Sequence, residues 1–228
     1  MKKLFKIFVL LFIFASQVVF ANSVADEAFD KSIVYHDKQD YMNELKWLKI
    51  TFDEDETKEV AFNLGLVYEN LKDYDNAINW YKKSFKMGSV DGGVKLGLLY
   101  DEKLKDYPNA IKWYKKAFEM GNLDGAYNLG CLYDVNKKDF KNAIIWYKKA
   151  AKKGHKKAIN NLGEVYHDLK DNITASAYVL AGIVYGYDKQ ETFKYLNKTW
   201  KIDEPTMIKA YKLQQILDIP KHYIGDID

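Results

Sequence analysis

Apolar residues in this chain recur in a helical rhythm. Ala61, Leu64, Tyr68 and Leu71 fall at i, i+3, i+7 and i+10, one stripe at the 3.6-residue period rather than the alternation of a half-buried strand. The stripe returns down the chain: its glycines, Gly65, Gly97, Gly130 and Gly163, are 32, 33 and 33 residues apart, and Tyr68, Tyr100, Tyr133 and Tyr166 each follow by three. A second stripe trails every first one. It carries Ala77, Ala110, Ala143 and Ala175, then Trp80, Trp113, Trp146 and Tyr178, and closes on Gly88, Gly121, Gly154 and Gly186. A fixed period of this length predicts a solenoid, whose units bury their apolar faces against neighbours.

Each period reads as two helices. Asp73, Asp106, Asp139 and Asp171 open the second stripe, where a carboxylate accepts hydrogen bonds from N–H groups without an intrahelical partner; Pro108, in the same turn, has no N–H to leave unpaired. The closing glycines suit the left-handed conformation that ends a helix. Every unit is thus expected to be an antiparallel hairpin of a helix A and a helix B, and the fold class all-α, an α-solenoid. A glycine inside helix A costs about 1 kcal/mol relative to alanine. Close approach of helix B, with its Trp and Tyr rings filling the groove, is expected to offset that cost, since burial returns about 25 cal/mol per Å² of apolar surface.

The ladder sets the boundaries. Four full units occupy about 56–88, 89–121, 122–154 and 155–186. Upstream, Tyr35, Asp40-Tyr41 and Trp47 stand 33 residues before Tyr68, Asp73-Tyr74 and Trp80, while Asp55 replaces the glycine, so 22–55 reads as a degenerate capping repeat. Residues 187–228 are left for C-terminal capping helices. Residues 1–21 read as a signal peptide: Lys2, Lys3 and Lys6 precede an apolar run from Ile7 to Ala15, and Val19-Phe20-Ala21 offers a small residue for cleavage. The run is short for a membrane span of about 20 residues, which makes a retained anchor the lesser alternative. The chain is expected to be exported, to the periplasm before the extracellular space, with no stable membrane insertion after cleavage.

Composition narrows the chemistry. Without its three leader lysines the chain balances 32 lysines against 32 acidic residues and has no arginine, so nothing points to nucleic acid. Charge is unevenly spread: 22–88 holds 14 acids and 9 lysines, 89–154 holds 8 acids and 13 lysines. Lys148, Lys149, Lys152, Lys153, Lys156 and Lys157 form the densest cluster, read either as a solvated outer face or as a docking site for an acidic protein or an anionic envelope polymer. Cys131 has no mate for an intramolecular disulfide and reads as a small, partly buried apolar residue. His36, His155, His167 and His222 form no metal-spaced set, and no nucleophile elbow or phosphate loop is present. The expectation is a non-enzyme with no cofactor and no metal.

Helix A offers the better candidates. Two residues before the glycines stand Asn63, Lys95, Asn128 and Asn161; four after them stand Glu69, Asp101, Asp134 and His167. An Asn amide both donates and accepts, which suits clamping an extended peptide along a concave face. Satisfying a neighbouring helix is the competing role for these residues. His167 is expected to face solvent.

The order Ala-x-x-Leu-Gly-x-x-Tyr, then Asp, Ala-x-x-Trp-Tyr-Lys-Lys-Ala and a terminal Gly resembles the Sel-one-like repeat (SLR), a relative of the tetratricopeptide repeat, strongly over 56–186 and weakly over 22–55. Asp203-Glu204-Pro205 with Met207, Ile208, Ala210, Tyr211 and Leu213 resembles the closing helix of such bacterial arrays. Asn70-Leu71-Lys72, Lys103-Leu104-Lys105 and Asn136-Lys137-Lys138 replace the family's Gly-x-Gly-Val loop, so short and ordinary turns are expected. The resemblance implies a scaffold that binds another envelope protein or peptide, inhibition of a toxic enzyme being one role of exported members. Binding of peptidoglycan or another envelope glycan is the alternative. Weak hydrolysis of the β-lactamase type ranks last, since the sequence has no Ser-x-x-Lys motif.

Overall fold

The computed structural model describes residues 24–136 and 138–219; the leader lies outside the described residues. Among these, the chain is helical with no strand. One compact unit, ending at Lys103, holds α1 (24–37), α2 (Tyr41–Glu54), α3 (Lys58–Asn70), α4 (Tyr74–Lys86) and α5 (Val90–Leu98), the last continued by a π-helical turn, Leu99–Lys103. A second unit holds α6 (Tyr107–Glu119), α7 (Leu123–Cys131, continued by the π turn Leu132–Asn136), α8 (Phe140–Ala151), α9 (Lys156–Asp168) and α10 (Asn172–Val184). It closes with α11 (Lys189–Lys194, continued by the π turn Tyr195–Thr199) and α12 (Glu204–Gln214). The repeating element is the hairpin that the pattern predicts, and the fold is an all-α, tetratricopeptide-like solenoid.

The helix-opening aspartates act as caps. Asp73, Asp106, Asp139 and Asp171, and Asp40 before α2, each accept from the backbone N–H three residues on, at 3.1–3.2 Å. In four of the five that residue is an asparagine, whose Nδ2 donates to the other carboxylate oxygen at 2.6–2.7 Å. The turns before the caps are short, as expected, but not ordinary. Gln39, Lys72, Lys105, Lys138 and Lys170 hold φ between 49° and 62°, a left-handed conformation that costs a non-glycine residue about 1–2 kcal/mol. A satisfied cap returns about 1 kcal/mol, which offsets much of that strain at the adjoining residue.

Packing assigns the two aromatic positions differently from the expectation that both fill one groove. The tyrosine lies on the glycine. Tyr81 and Tyr147 are fully buried, and a Cβ on Gly65 would stand 2.5 Å from Tyr81 Cδ1, one on Gly130 2.2 Å from Tyr147 Cδ1. The tryptophans instead join successive B helices: Phe52 of α2 meets Trp80 of α4 edge-on at 5.0 Å, and Phe118 of α6 meets Trp146 of α8 at 6.0 Å. In the last hairpin Val179 takes the tyrosine's place, with Cγ2 2.7 Å from a Cβ on Gly163. At the C-terminal end α12 packs on α10, where Ala210 joins Ala177, Leu180, Leu196 and Ile202 in one apolar cluster.

Candidate functional site

Several polar positions of helix A are engaged within their own unit. Glu69 accepts from the Tyr81 hydroxyl at 2.6 Å; burial and then the neighbouring carboxylate push that phenol far above its ordinary pKa. In the second unit the Tyr147 hydroxyl stands 3.4 Å from both Asp134 Oδ2 and Cys131 Sγ, and accepts from Asn161 Nδ2 at 3.1 Å. Burial outweighs the Tyr147 bond at Asp134 and raises its carboxyl. Cys131 is partly buried against the apolar core of the second unit, as expected of it, and its sulfur also borders this polar cluster. Tyr127 borders the same cluster, its phenol pushed up to about 12, first by burial and then by Cys131.

His167 does not face solvent. It is half-buried, and its ring stacks on Trp200 at 4.2 Å and 11°. Val179 stands where other hairpins carry tyrosine, and Trp200, from the turn before α12, covers the position instead. Lys95, Asp101 and Asn128 are half-buried. The ladder is therefore not one uniform row of available groups.

Asn63 stands apart because it lines two depressions at once. One, about 240 Å³, opens among α1, α2 and α3; the other, about 560 Å³, lies between Phe62 on α3 and the Ser89–Asp91 start of α5. The smaller depression contains a group that the sequence analysis missed. The Glu44 side chain is only 7% exposed; its Oε1 lies 2.9 Å from His36 Nδ1, while Oε2 has no hydrogen-bond partner among the described residues. A signal was available. Glu44 holds the ladder position of Ala77, Ala110 and Ala143, each 0% exposed, so the ladder itself marks a carboxylate in a core position.

All six lysines of the basic cluster are exposed, yet four have defined contacts. The Lys149 ammonium lies 3.8 Å from the Trp146 ring centroid, Lys153 5.1 Å from Phe118 and Lys148 5.5 Å from Tyr166, while Lys152 pairs with Asp218 at 2.8 Å. Such exposed contacts are each worth about 0.5–1 kcal/mol or less. Lys156 and Lys157 open α9, where positive charge opposes the helix dipole. Between them and α8, His155 caps α9: Nδ1 accepts from Ala158 N at 3.1 Å, which leaves Nε2 to donate to Asp124 Oδ1 at 2.9 Å, and the ring stacks on Tyr127 at 4.7 Å. Among the described residues no three His, Cys, Asp or Glu side chains are grouped to hold a metal ion, and no helix is long and apolar enough to cross a membrane.

Comparison with known proteins meets this geometry at the level of the repeat. Residues 59–87 match the tetratricopeptide repeat, and residues 94–122 and 123–155 match the Sel1 repeat. No curated protein matches the sequence. Among solved structures the chain is similar to a protective antigen present in uropathogenic Escherichia coli strains that displays an SLR fold, at 25% identity and TM-score 0.57, covering 76% of this chain and 40% of that one. It is also similar to a Sel1 repeat protein from Oxalobacter formigenes (22% identity, TM-score 0.55, covering 86% of this chain and 87% of that one). A third is Pseudomonas aeruginosa pilF (16% identity, TM-score 0.58, 86% and 93%). The chain thus spans less than half the length of the Escherichia coli antigen. Repeats of these kinds generally mediate protein–protein interaction and are typically non-catalytic.

Proposed function

From the repeat matches over residues 59–87 and 94–155, we propose that this chain is an exported, non-catalytic scaffold that binds a segment of another envelope protein on the helix-A side of its first unit. The observation that carries this reading is the position of Asn63 at the junction of two adjoining depressions. An amide there can pair with the backbone of a segment crossing from one hollow to the other, while the hollows take its side chains. Export is supported by the basic and apolar pattern of residues 1–21.

Affinity capture from an envelope extract tests the assignment. Asn63→Arg, which fills the junction, is expected to abolish capture of the partner while leaving the helical signal and melting point within the range of ordinary surface substitutions, about 0.5 kcal/mol. Lys148, Lys149, Lys152 and Lys153 changed together to Glu should leave capture intact. Loss with the lysine variant and retention with Asn63→Arg would move the site to the basic cluster of the second unit. Capture of an exported enzyme that loses activity on binding would define the scaffold as an inhibitor.

A further inference from the structure

The first hairpin departs from the three that follow it at four positions that meet in space. One repeat upstream of Gly65, Glu69, Ala77 and Tyr81 stand Ser32, His36, Glu44 and Leu48. In the second hairpin those four residues close a layer: Tyr81 lies against Gly65, donates to Glu69 at 2.6 Å and is fully buried, as is Ala77. In the first hairpin Leu48 supplies no ring. The depression of about 240 Å³ is lined by all four replacements. Loss of packing alone explains a hollow but not its contents, because a buried carboxylate with an unpaired oxygen is costly in place of an alanine.

We propose that this pocket binds the side-chain ammonium of a lysine carried by the partner segment, an assignment that rests on reading the helix-A groove as the partner site. Glu44 Oε2 is the unpaired acceptor, held in a side chain that is 7% exposed. Oε1 is already occupied by His36. One free oxygen suits the point donor of an ammonium; a guanidinium fork takes both oxygens of a carboxylate. Phe29, Ile33, Leu48 and Leu66 line the same hollow and match the apolar stem of a lysine. The Ser32 hydroxyl donates to the Phe29 carbonyl at 2.6 Å, which leaves its oxygen as a second acceptor. The excess of acids over lysines in residues 22–88 favours approach of a cation. Burial raises the Glu44 carboxyl, with His36 pulling the other way, and an incoming ammonium would favour the ionised form.

The test uses the full chain without its leader and n-pentylammonium chloride as the probe, followed by NMR through the methyl resonances of Ile33, Leu48 and Leu66. Saturable shifts confined to these residues are expected, with 1-pentanol binding at least tenfold more weakly and pentanoate not at all. Glu44→Gln should weaken amine binding at least tenfold. The combined variant Ser32→Gly, Glu44→Ala, Leu48→Tyr restores the layer that the chain builds around Tyr81, so it should keep its helical signal and lose binding completely. Equal binding of amine and alcohol, retention by Glu44→Gln, or the absence of a saturable shift would overturn the assignment. Because no partner is needed, the amine result is separate from capture: an unbound amine with Asn63-dependent capture removes this inference alone, and a bound amine with capture indifferent to Asn63→Arg leaves the pocket standing and removes the groove.

Discussion

Gly130→Ala measures whether the tyrosine-on-glycine contact holds the second unit together. The new Cβ would stand 2.2 Å from Tyr147 Cδ1 and 2.3 Å from Cε1, against an optimal carbon–carbon separation of about 3.5–4.0 Å, so the ring or helix α7 must retreat by more than about 1 Å. The ring cannot swing into solvent, because it is fully buried and its hydroxyl sits among Asp134, Cys131 and Asn161. Overpacking of this kind costs about 1–3 kcal/mol, and alanine returns about 1 kcal/mol of helix propensity. Each hydrogen bond broken in the cluster adds about 1 kcal/mol. With one of those bonds broken the net expectation is a loss of about 1–3 kcal/mol, rising if the whole cluster opens. Thermal and urea denaturation followed by circular dichroism reads this as a drop of about 2–4 °C per kcal/mol in a chain of this size. Gly163→Ala is the control: its nearest obstacle is a Val179 methyl at 2.7 Å, so its cost should be smaller. The pairing of Ser32 with Leu48 in the first hairpin supplies a second arm. Gly130→Ser with Tyr147→Leu should cost less than the sum of the single changes, by a coupling of at least about 0.5 kcal/mol. A Gly130→Ala protein that melts at or above the wild-type temperature would refute the packing argument.

His155→Ala removes the α9 cap and the stack on Tyr127, and should lower the denaturation midpoint by about 1 kcal/mol or more, with amide exchange rising at Ala158. Mass spectrometry of the protein recovered from an envelope fraction should give Asn22 as its first residue; recovery of the uncleaved chain in membranes would replace cleavage by anchoring. Glu44→Gln should match or exceed wild-type stability near neutral pH. Its carboxyl is raised in the folded state, so folding takes up protons and wild-type stability falls as pH rises through the folded pKa. His36 on α1 is the other titratable group lining the pocket, and α3 contributes Asn63 and Leu66. A difference between the wild-type and Glu44→Gln midpoints that does not change with pH would remove the buried ionised carboxylate from the account.

What the sequence discloses follows how local each interaction is. The caps at Asp73, Asp106 and Asp139 bond three residues away, and hairpin topology follows from them and from the stripe period. Trp80 and Tyr81, by contrast, are adjacent residues about 100° apart on one helix. A pattern of apolar positions does not say which of the two faces helix A and which faces the neighbouring helix B. Only the structure separates Tyr81 on Gly65 from Trp80 on Phe52. His167 was unreadable for the same reason, since the ring that covers it lies 33 residues further on, outside the repeat. The left-handed lysines were missed because turn length, not backbone conformation, was legible in Asn70-Leu71-Lys72. Asn63 was legible as a position but not as a special one. Nothing in a ladder of Asn63, Asn128 and Asn161 distinguishes an amide between two hollows from one that donates to Tyr147.

The two terminal hairpins together bear on the proposed pocket in the first. Both lose the tyrosine that fills the layer between helix A and helix B, to Leu48 in the first and Val179 in the last, and both carry histidine at the position of Glu69, as His36 and His167. The outcomes differ. In the last hairpin the chain fills the space itself: Val179 lies close over Gly163, and Trp200 stacks on His167 at 4.2 Å. In the first hairpin the corresponding space remains a hollow among the described residues, with His36 58% exposed and turned onto a buried carboxylate. Loss of the tyrosine at the end of an array therefore does not by itself leave a pocket, since this same chain shows how such a loss is packed over. What separates the ends is Glu44, which an apolar filler from the chain's own C-terminal cap would leave unpaired and which a cation from outside would satisfy. That difference is why the first hairpin, rather than the more regular units behind it, is the place to look for the partner.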